Sequence, residues 1–221
     1  MVFLNKNIKL AIFDLDGTLI DSTSLWADID KEFFHKRGLE IPPSYNEEIA
    51  HIGLQKAAEL TVSKYLPNEN VEDITKEWID MSVHAYKETI PLKEGALDLL
   101  KILHDNGVII ALATANSKDI YEPCLTRLEM FEHFAVVADV NSCKEGKSSP
   151  EIYDRIAKQF NVKREETVVF EDMIVPIITA YNAGYNVVGV YDKSSTKDET
   201  AVIKHSHLYI KSYAEVINLL K

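Results

Sequence analysis

Apolar positions along this chain fall into short runs and helical stripes. Six runs read as strands: roughly Ile8–Phe13, Val108–Ala113, Ala135–Ala138, Val168–Phe170, Val187–Val190 and Leu208–Ile210. In the first run only Lys9 interrupts the apolar side chains, the pattern of a parallel strand buried on both faces. Helical patterns separate the later runs. Glu94 to Asn106 carries Ala96, Leu97, Leu99, Leu100 and Leu103 on one stripe and stops at Gly107. Ser149-Pro150-Glu151 reads as an N-cap, a first-turn proline and an early acid. Asp172 to Ala183 reads as a helix ending at Gly184, with Pro176 in its early part, and Ser212 with Glu215 has capping-box spacing. Strand and helix in alternation predict an α/β fold: a doubly wound, Rossmann-like parallel sheet with helices on both faces.

The stretch from about Asp21 to Ile90 breaks this alternation and shows no strand. Leu25, Ile29 and Phe33 share one helical face, which Gly38 ends, and Pro42-Pro43 forces a break. Ile49, Ile52, Leu54, Ala57, Ala58 and Leu60 predict a second helix interrupted at Gly53, and Val71 to Thr89 a third, holding Ile74, Trp78 and Met81. The organisation expected is a core of residues 1–20 and 91–221 with a helical cap inserted over 21–90. Such an insertion is either a decoration or a lid. Its two connections leave and re-enter beside Asp14 and Asp16, which favours the lid.

Composition narrows the partners. With 221 residues, 46% of them hydrophobic and 27% charged, the chain reads as an ordinary soluble globular protein. Its formal net charge of -11 disfavours nucleic acid and requires a local positive group or a metal for any phosphorylated substrate. Cys124 and Cys143 form neither a disulfide framework nor a metal motif, so a reduced, cytoplasmic setting is expected. No signal peptide and no membrane span are read from the sequence. The expected assembly is a monomer or weak homodimer.

The chemistry sits where predicted burial meets polarity, at four strand ends. The first is Asp14-Leu15-Asp16-Gly17-Thr18; the second is Thr114-Ala115-Asn116; the third is Lys147, just ahead of a helix; the fourth is Glu171-Asp172. In a parallel sheet these ends converge on one edge, where open α/β sheets bind ligands. Four carboxylates, one ammonium and one hydroxyl suit Mg²⁺-assisted phosphoryl transfer. Mg²⁺ takes oxygen ligands, a carboxylate can attack phosphorus, and lysine and hydroxyl groups hold the phosphoryl oxygens. Taken singly, each residue has a plainer reading. Asp14 and Asp16 fit a turn, Thr114 a strand-end hydroxyl, Lys147 a solvated lysine, and Glu171-Asp172 the start of the next helix. Asn116 fits a helix start as well as a phosphate contact. The seven histidines share no metal-ligand spacing.

The order Asp-x-Asp-Gly-Thr, Thr, Lys, Glu-Asp resembles the haloacid dehalogenase superfamily over nearly the whole chain. It is similar to the subfamily with a helical cap after the first motif, which includes phosphoglycolate phosphatase and beta-phosphoglucomutase. That resemblance implies Asp14 as nucleophile and Mg²⁺ ligand. It implies Asp16 as general acid and then base, its main-chain carbonyl also on the metal. Thr114 and Lys147 would hold the phosphoryl group, with Ala115 and Asn116 beside them. Asp172 would ligate Mg²⁺, Glu171 assisting directly or through water. A second acid beside an ionised Asp14 and a phosphate has its pKa raised, which suits proton donation.

Two departures stand out. Ser148 replaces the proline usual after the lysine, and Met173 replaces the serine usual after the fourth-motif acids. In the cap, His51, Lys56, Gln55 and Trp26 are candidate substrate contacts, with Trp26 equally a candidate for the cap core. The stretch after the first motif lacks histidine, and Lys56 stands where a mutase is expected to carry arginine. The expected function is therefore a Mg²⁺-dependent phosphatase of a small phosphorylated metabolite. A phosphomutase is the alternative; a receiver domain and a catalytically silent binding protein are more distant ones.

Overall fold

A computed structural model describes residues 2–3, 6–49, 54–139, 143 and 146–220. The chain divides into two compact units, Met1–Thr23 with Ile90–Lys221, and Ser24–Thr89. From the N-terminus it forms β1 (Val2–Phe3), β2 (Lys6–Asn7) and β3 (Leu10–Phe13). The helices α1 (Leu25–Lys36), α2 (Tyr45–Ile49), α3 (Leu54–Lys64) and α4 (Val71–Glu88) follow. Next come α5 (Ala96–Asp105), β4 (Ile109–Thr114), α6 (Lys118–Arg127), β5 (Val136–Asp139) and α7 (Glu151–Gln159). The chain closes with β6 (Thr167–Glu171), α8 (Ile174–Asn182), β7 (Asn186–Val190), α9 (Glu199–Lys204), β8 (Leu208–Ile210) and α10 (Tyr213–Leu219).

In the first unit the six strands β3 to β8 form one parallel sheet in the order β5-β4-β3-β6-β7-β8. The order reverses at β3, which pairs with β4 on one side and β6 on the other. The crevice outside the carboxyl ends of these strands is the place such a sheet offers a ligand. Every residue of β3, β6 and β7 is buried, as expected of central strands covered on both faces. Alternate side chains serve the two faces. Leu10, Ile12, Ala111, Ala113 and Val169 pack with Ile152, Tyr153, Ile156 and Ile177 of α7 and α8. On the other face Phe13 and Phe170 stack with ring centroids 4.3 Å apart, and Phe170 meets Tyr213 of α10 at 6.4 Å.

Helix ends follow local chemistry. Ser212 accepts the Ala214 N–H at 3.2 Å while Glu215 accepts the Ser212 N–H at 3.0 Å, closing the capping box read from the sequence. The Ser149 hydroxyl accepts the Glu151 N–H at 3.2 Å, but Pro150 occupies the N-cap position of α7 rather than its first helical one. Pro176 lies in the first turn of α8, where its missing N–H costs no intrahelical bond. The short antiparallel pair β1–β2 had no readable alternation, having two residues per strand.

The regular elements among the described residues of the second unit are all helices. Its core joins Phe33, Phe34, Tyr45, Ile74 and Trp78, with Phe33–Trp78 at 5.3 Å and Phe34–Tyr45 at 4.8 Å between centroids. Arg37 covers the Phe33 ring at 3.7 Å and reaches Glu69 and Glu77 at 2.7 Å. Of the stripe expected from Ile49 to Leu60 with an interruption at Gly53, Ile49 belongs to α2 and Leu54, Ala57, Ala58 and Leu60 to α3, with Ile52 and Gly53 outside the described residues. No helix among the described residues is long and apolar enough to cross a membrane.

Candidate active site

Sheet register assembles the site. Phe13 pairs with Leu112 on β4 and with Phe170 on β6. One step further, Asp14 and Glu171 stand side by side, and the Asp14 N–H donates to Phe170 O at 3.0 Å. Asp172 follows. Oxygens of Asp14, Glu171 and Asp172 lie within 4.8 Å of one another, and all three residues are buried.

The loop after β3 is tightly coiled. Leu19 and Ile20 N–H groups both donate to Leu15 O, at 2.9 and 3.0 Å, and Gly17 N–H donates to Ile20 O at 3.0 Å. Gly17 takes φ +73°, and a Cβ there would lie 2.5 Å from Asp172 Oδ2. The loop backbone therefore passes directly against the Asp172 carboxylate, an approach open only to glycine. Thr18 Oγ1 donates to Asp172 Oδ1 at 3.3 Å, and Tyr213 Oη donates to Thr18 O at 3.0 Å.

Lys147, held in the short 3₁₀ turn Gly146–Ser148, donates to Asp14 Oδ1 and, at 2.9 Å, to Glu171 Oε2. Glu171 Oε1 also accepts the Met173 N–H at 3.4 Å. Burial works against the Lys147 charge, but Asp14 and Glu171 outweigh it and hold the ammonium well above its usual range. Burial, then the Asp14 charge, pushes the Glu171 carboxyl up. Burial, then Glu171 and Asp14, pushes Asp172 up further. One ammonium thus faces three crowded carboxylates. This oxygen donor set fits a hard divalent cation, because the excess negative charge is what such an ion would neutralise.

At the end of β4, buried Thr114 accepts the Asn116 N–H at 3.1 Å through its hydroxyl oxygen. That leaves the hydroxyl proton for another acceptor. Asn116 Nδ2 donates to Asp16 Oδ2 at 2.6 Å, so the amide binds the second aspartate of the first motif. The Asp16 carboxylate is not one of the three clustered acids. Ala115 is exposed between Thr114 and Asn116.

The second unit carries the remaining candidates. His51 lies outside the described residues, and Lys56 is exposed on α3. Gln55 donates to Glu59 at 3.3 Å on the same helix. Trp26 is 50% exposed, which corrects its reading as a core residue; Trp78 fills that place.

Sequence reading gave Thr18 no role of its own and missed Tyr213 and the Asp192 network. Asp192 accepts from Thr23 at 2.6 Å, from Lys93 at 2.9 Å, and from the Ser194 N–H and hydroxyl at 2.9 and 2.7 Å. Burial opposes its charge, but these bonds outweigh burial and hold the carboxyl below its usual range. Its signal was available, since Asp192 follows β7 as Glu171-Asp172 end and follow β6.

Comparison with known proteins agrees with this geometry. A phosphorylated carbohydrates phosphatase of Thermotoga maritima is 24% identical over 97% of this chain and 99% of its own length. Hexitol phosphatase B of Escherichia coli strain K12 is 24% identical over 90% of each chain. A Thermotoga maritima crystal structure, provisionally described as a beta-phosphoglucomutase, shares the fold. Its TM-score is 0.85 at 23% identity, over 96% of this chain and 98% of that one. The sequence profile of the haloacid dehalogenase-like hydrolases matches residues 11–190, and the chain belongs to that family.

Proposed function

We propose that this protein is a Mg²⁺-dependent phosphatase of small phosphomonoesters, acting through an aspartyl-phosphate at Asp14. The observation that carries the reading is the Lys147 ammonium bridging Asp14 and Glu171 beside Asp172, with Asp16 held nearby by Asn116. Asp14 and Asp172 would hold the metal with the Asp16 main-chain carbonyl, Glu171 assisting directly or through water. Bound there, Mg²⁺ supplies charge neutralisation for the carboxylates and the phosphoryl oxygens.

The chain's own groups perform the transfer. An Asp14 carboxylate oxygen forms a bond to phosphorus as the phosphorus–ester oxygen bond breaks, and Asp16 delivers its proton to the leaving oxygen. Asp16, now ionised, takes a proton from water whose oxygen attacks phosphorus. The bond to Asp14 breaks, and inorganic phosphate leaves. Lys147 and the Thr114 hydroxyl hold the phosphoryl oxygens through both steps.

The relatives named for phosphorylated carbohydrates and hexitols support a phosphorylated sugar or polyol as substrate. We read the Ser24–Thr89 unit as the cap that selects it, with Lys56 and His51 as its candidate contacts. Two free cysteines fit a cytoplasmic setting, and a monomer or weak homodimer suffices for this chemistry. The test is phosphate release from para-nitrophenyl phosphate and a panel of sugar and nucleotide monophosphates, with and without Mg²⁺. Asp14→Asn is expected to lose more than about a thousandfold in kcat. Wild-type turnover without Mg²⁺, or surviving in Asp14→Asn, would refute the reading. A strict need for a bisphosphate activator would identify a mutase instead.

A further inference from the structure

Tyr153 lies on α7, six residues beyond Lys147, and is 1% exposed. Its ring packs in the core beneath β3, β4 and β6, with the Tyr185 ring 5.8 Å away and edge-on. The two phenols differ in one respect. Tyr185 Oη donates to Asp154 Oδ1 at 2.6 Å, whereas Tyr153 Oη finds no hydrogen-bond partner among the described residues. A buried hydroxyl without a partner destabilises a fold, and phenylalanine would fill the same space without that cost.

The charged groups that act on this hydroxyl belong to the candidate active site. Beyond burial, Glu171, Lys147 and Asp14 act on it electrostatically, and burial with the two carboxylates keeps the phenol protonated. It is therefore a neutral group that can accept from an ammonium. Lys147 has three N–H donors, two of which go to Asp14 and Glu171. Once Asp14 bonds phosphorus its charge falls, and its hold on Lys147 weakens. The ammonium must then turn toward the phosphoryl oxygens without leaving the pocket.

We propose that the Tyr153 hydroxyl is a positioning group for Lys147, accepting an ammonium N–H when Lys147 turns from Asp14 to the phosphoryl group. This rests on the phosphatase reading above. The hydroxyl is idle in the arrangement described and engaged during turnover, which explains why a phenol occupies a position that phenylalanine fits.

Two single-oxygen deletions test it, Tyr153→Phe and Tyr185→Phe, each followed by thermal unfolding, para-nitrophenyl phosphate kinetics and inhibition by vanadate and by phosphate. Tyr153→Phe is expected to melt at or above the wild-type temperature. Its kcat should fall about tenfold, the size of one lost hydrogen bond, with KM within about twofold. Vanadate, which adopts the five-coordinate geometry of the transition state, should lose affinity by the same factor while phosphate does not. Tyr185→Phe should show the converse, a lower melting temperature with wild-type kcat. Wild-type kinetics in Tyr153→Phe would overturn the proposal and leave the phosphatase reading standing. So would a kcat loss accompanied by a lower melting temperature and equal loss of vanadate and phosphate binding. Absence of Mg²⁺-dependent turnover in the wild type would overturn the phosphatase reading, and this proposal with it.

Discussion

Gly17→Ala is the substitution whose consequences the geometry fixes most closely. Two effects add. The backbone at φ +73° becomes strained once a Cβ is present, at about 1–2 kcal/mol. The new methyl would also stand 2.5 Å from Asp172 Oδ2 and 2.8 Å from its Cγ. Ordinary contact needs ~3.5 Å, so the carboxylate must retreat by roughly an ångström. That retreat breaks the Thr18–Asp172 bond, worth about 0.5–1.5 kcal/mol to a carboxyl that burial keeps protonated. The expected loss is about 1.5–3.5 kcal/mol.

Gly107→Ala separates the two effects. Gly107 has φ +71°, yet a Cβ there meets nothing within 4 Å. It should lose only the backbone share, about 1–2 kcal/mol. Urea unfolding of both variants, with and without Mg²⁺, is the assay. Metal at 100 times its Kd adds about 2.7 kcal/mol to the wild type and to Gly107→Ala. In Gly17→Ala a displaced ligand should weaken metal binding at least about tenfold, removing about 1.4 kcal/mol of that gain. Equal losses in the two glycine variants, with equal gains from Mg²⁺, would refute both the Asp172 contact and its place in the metal site.

Other outcomes follow from the same side chains. Glu171 and Asp172, and Asp30 at about 6, all hold protons above the ordinary carboxylate range in the folded state, each first because of burial. Unfolded acids ionise near about pH 4, so without metal the urea midpoint should fall as pH rises from there through the raised values. Mg²⁺ should flatten that slope, because it binds the ionised carboxylates; a midpoint rising over the same range would contradict the burial argument. Asn116→Ala removes a donor to the Asp16 carboxylate and should lower kcat about ten- to a hundredfold with little change in KM. A raised KM at constant kcat would make Asn116 a substrate contact instead. Asp192→Ala strands the Lys93 ammonium, which is 15% exposed, and should cost about 3 kcal/mol in urea unfolding; a change under about 0.5 kcal/mol would show the network to be idle.

The strands were legible because central parallel strands must be apolar on both faces, leaving little ambiguity at Leu10–Phe13 or Asn186–Val190. The strand-end acids were legible for the complementary reason: a buried carboxylate without a chemical task is rarely retained. What escaped depended on register and fit. No pattern reveals that Phe13 pairs with Phe170, which brings Asp14 beside Glu171. Nor does spacing show that Asn116 would turn to Asp16, 100 residues away. Trp26 misled because an aromatic at helical spacing fits the core as well as the surface, and only packing distinguishes it from Trp78.

The arrangement around Asp14 trades stability for readiness. Replacing a buried ion cluster by apolar side chains of similar volume is often neutral or stabilising, so folding alone gives no reason for three buried acids and one lysine. Their shared repulsion has a use only if something arrives to relieve it. A divalent cation held by Asp14, Glu171 and Asp172 would do so, and Lys147 would then be free to exchange a carboxylate for a phosphoryl oxygen without leaving its place. The Tyr153 hydroxyl, unpaired among the described residues, belongs to the same logic: a buried group that turnover would satisfy.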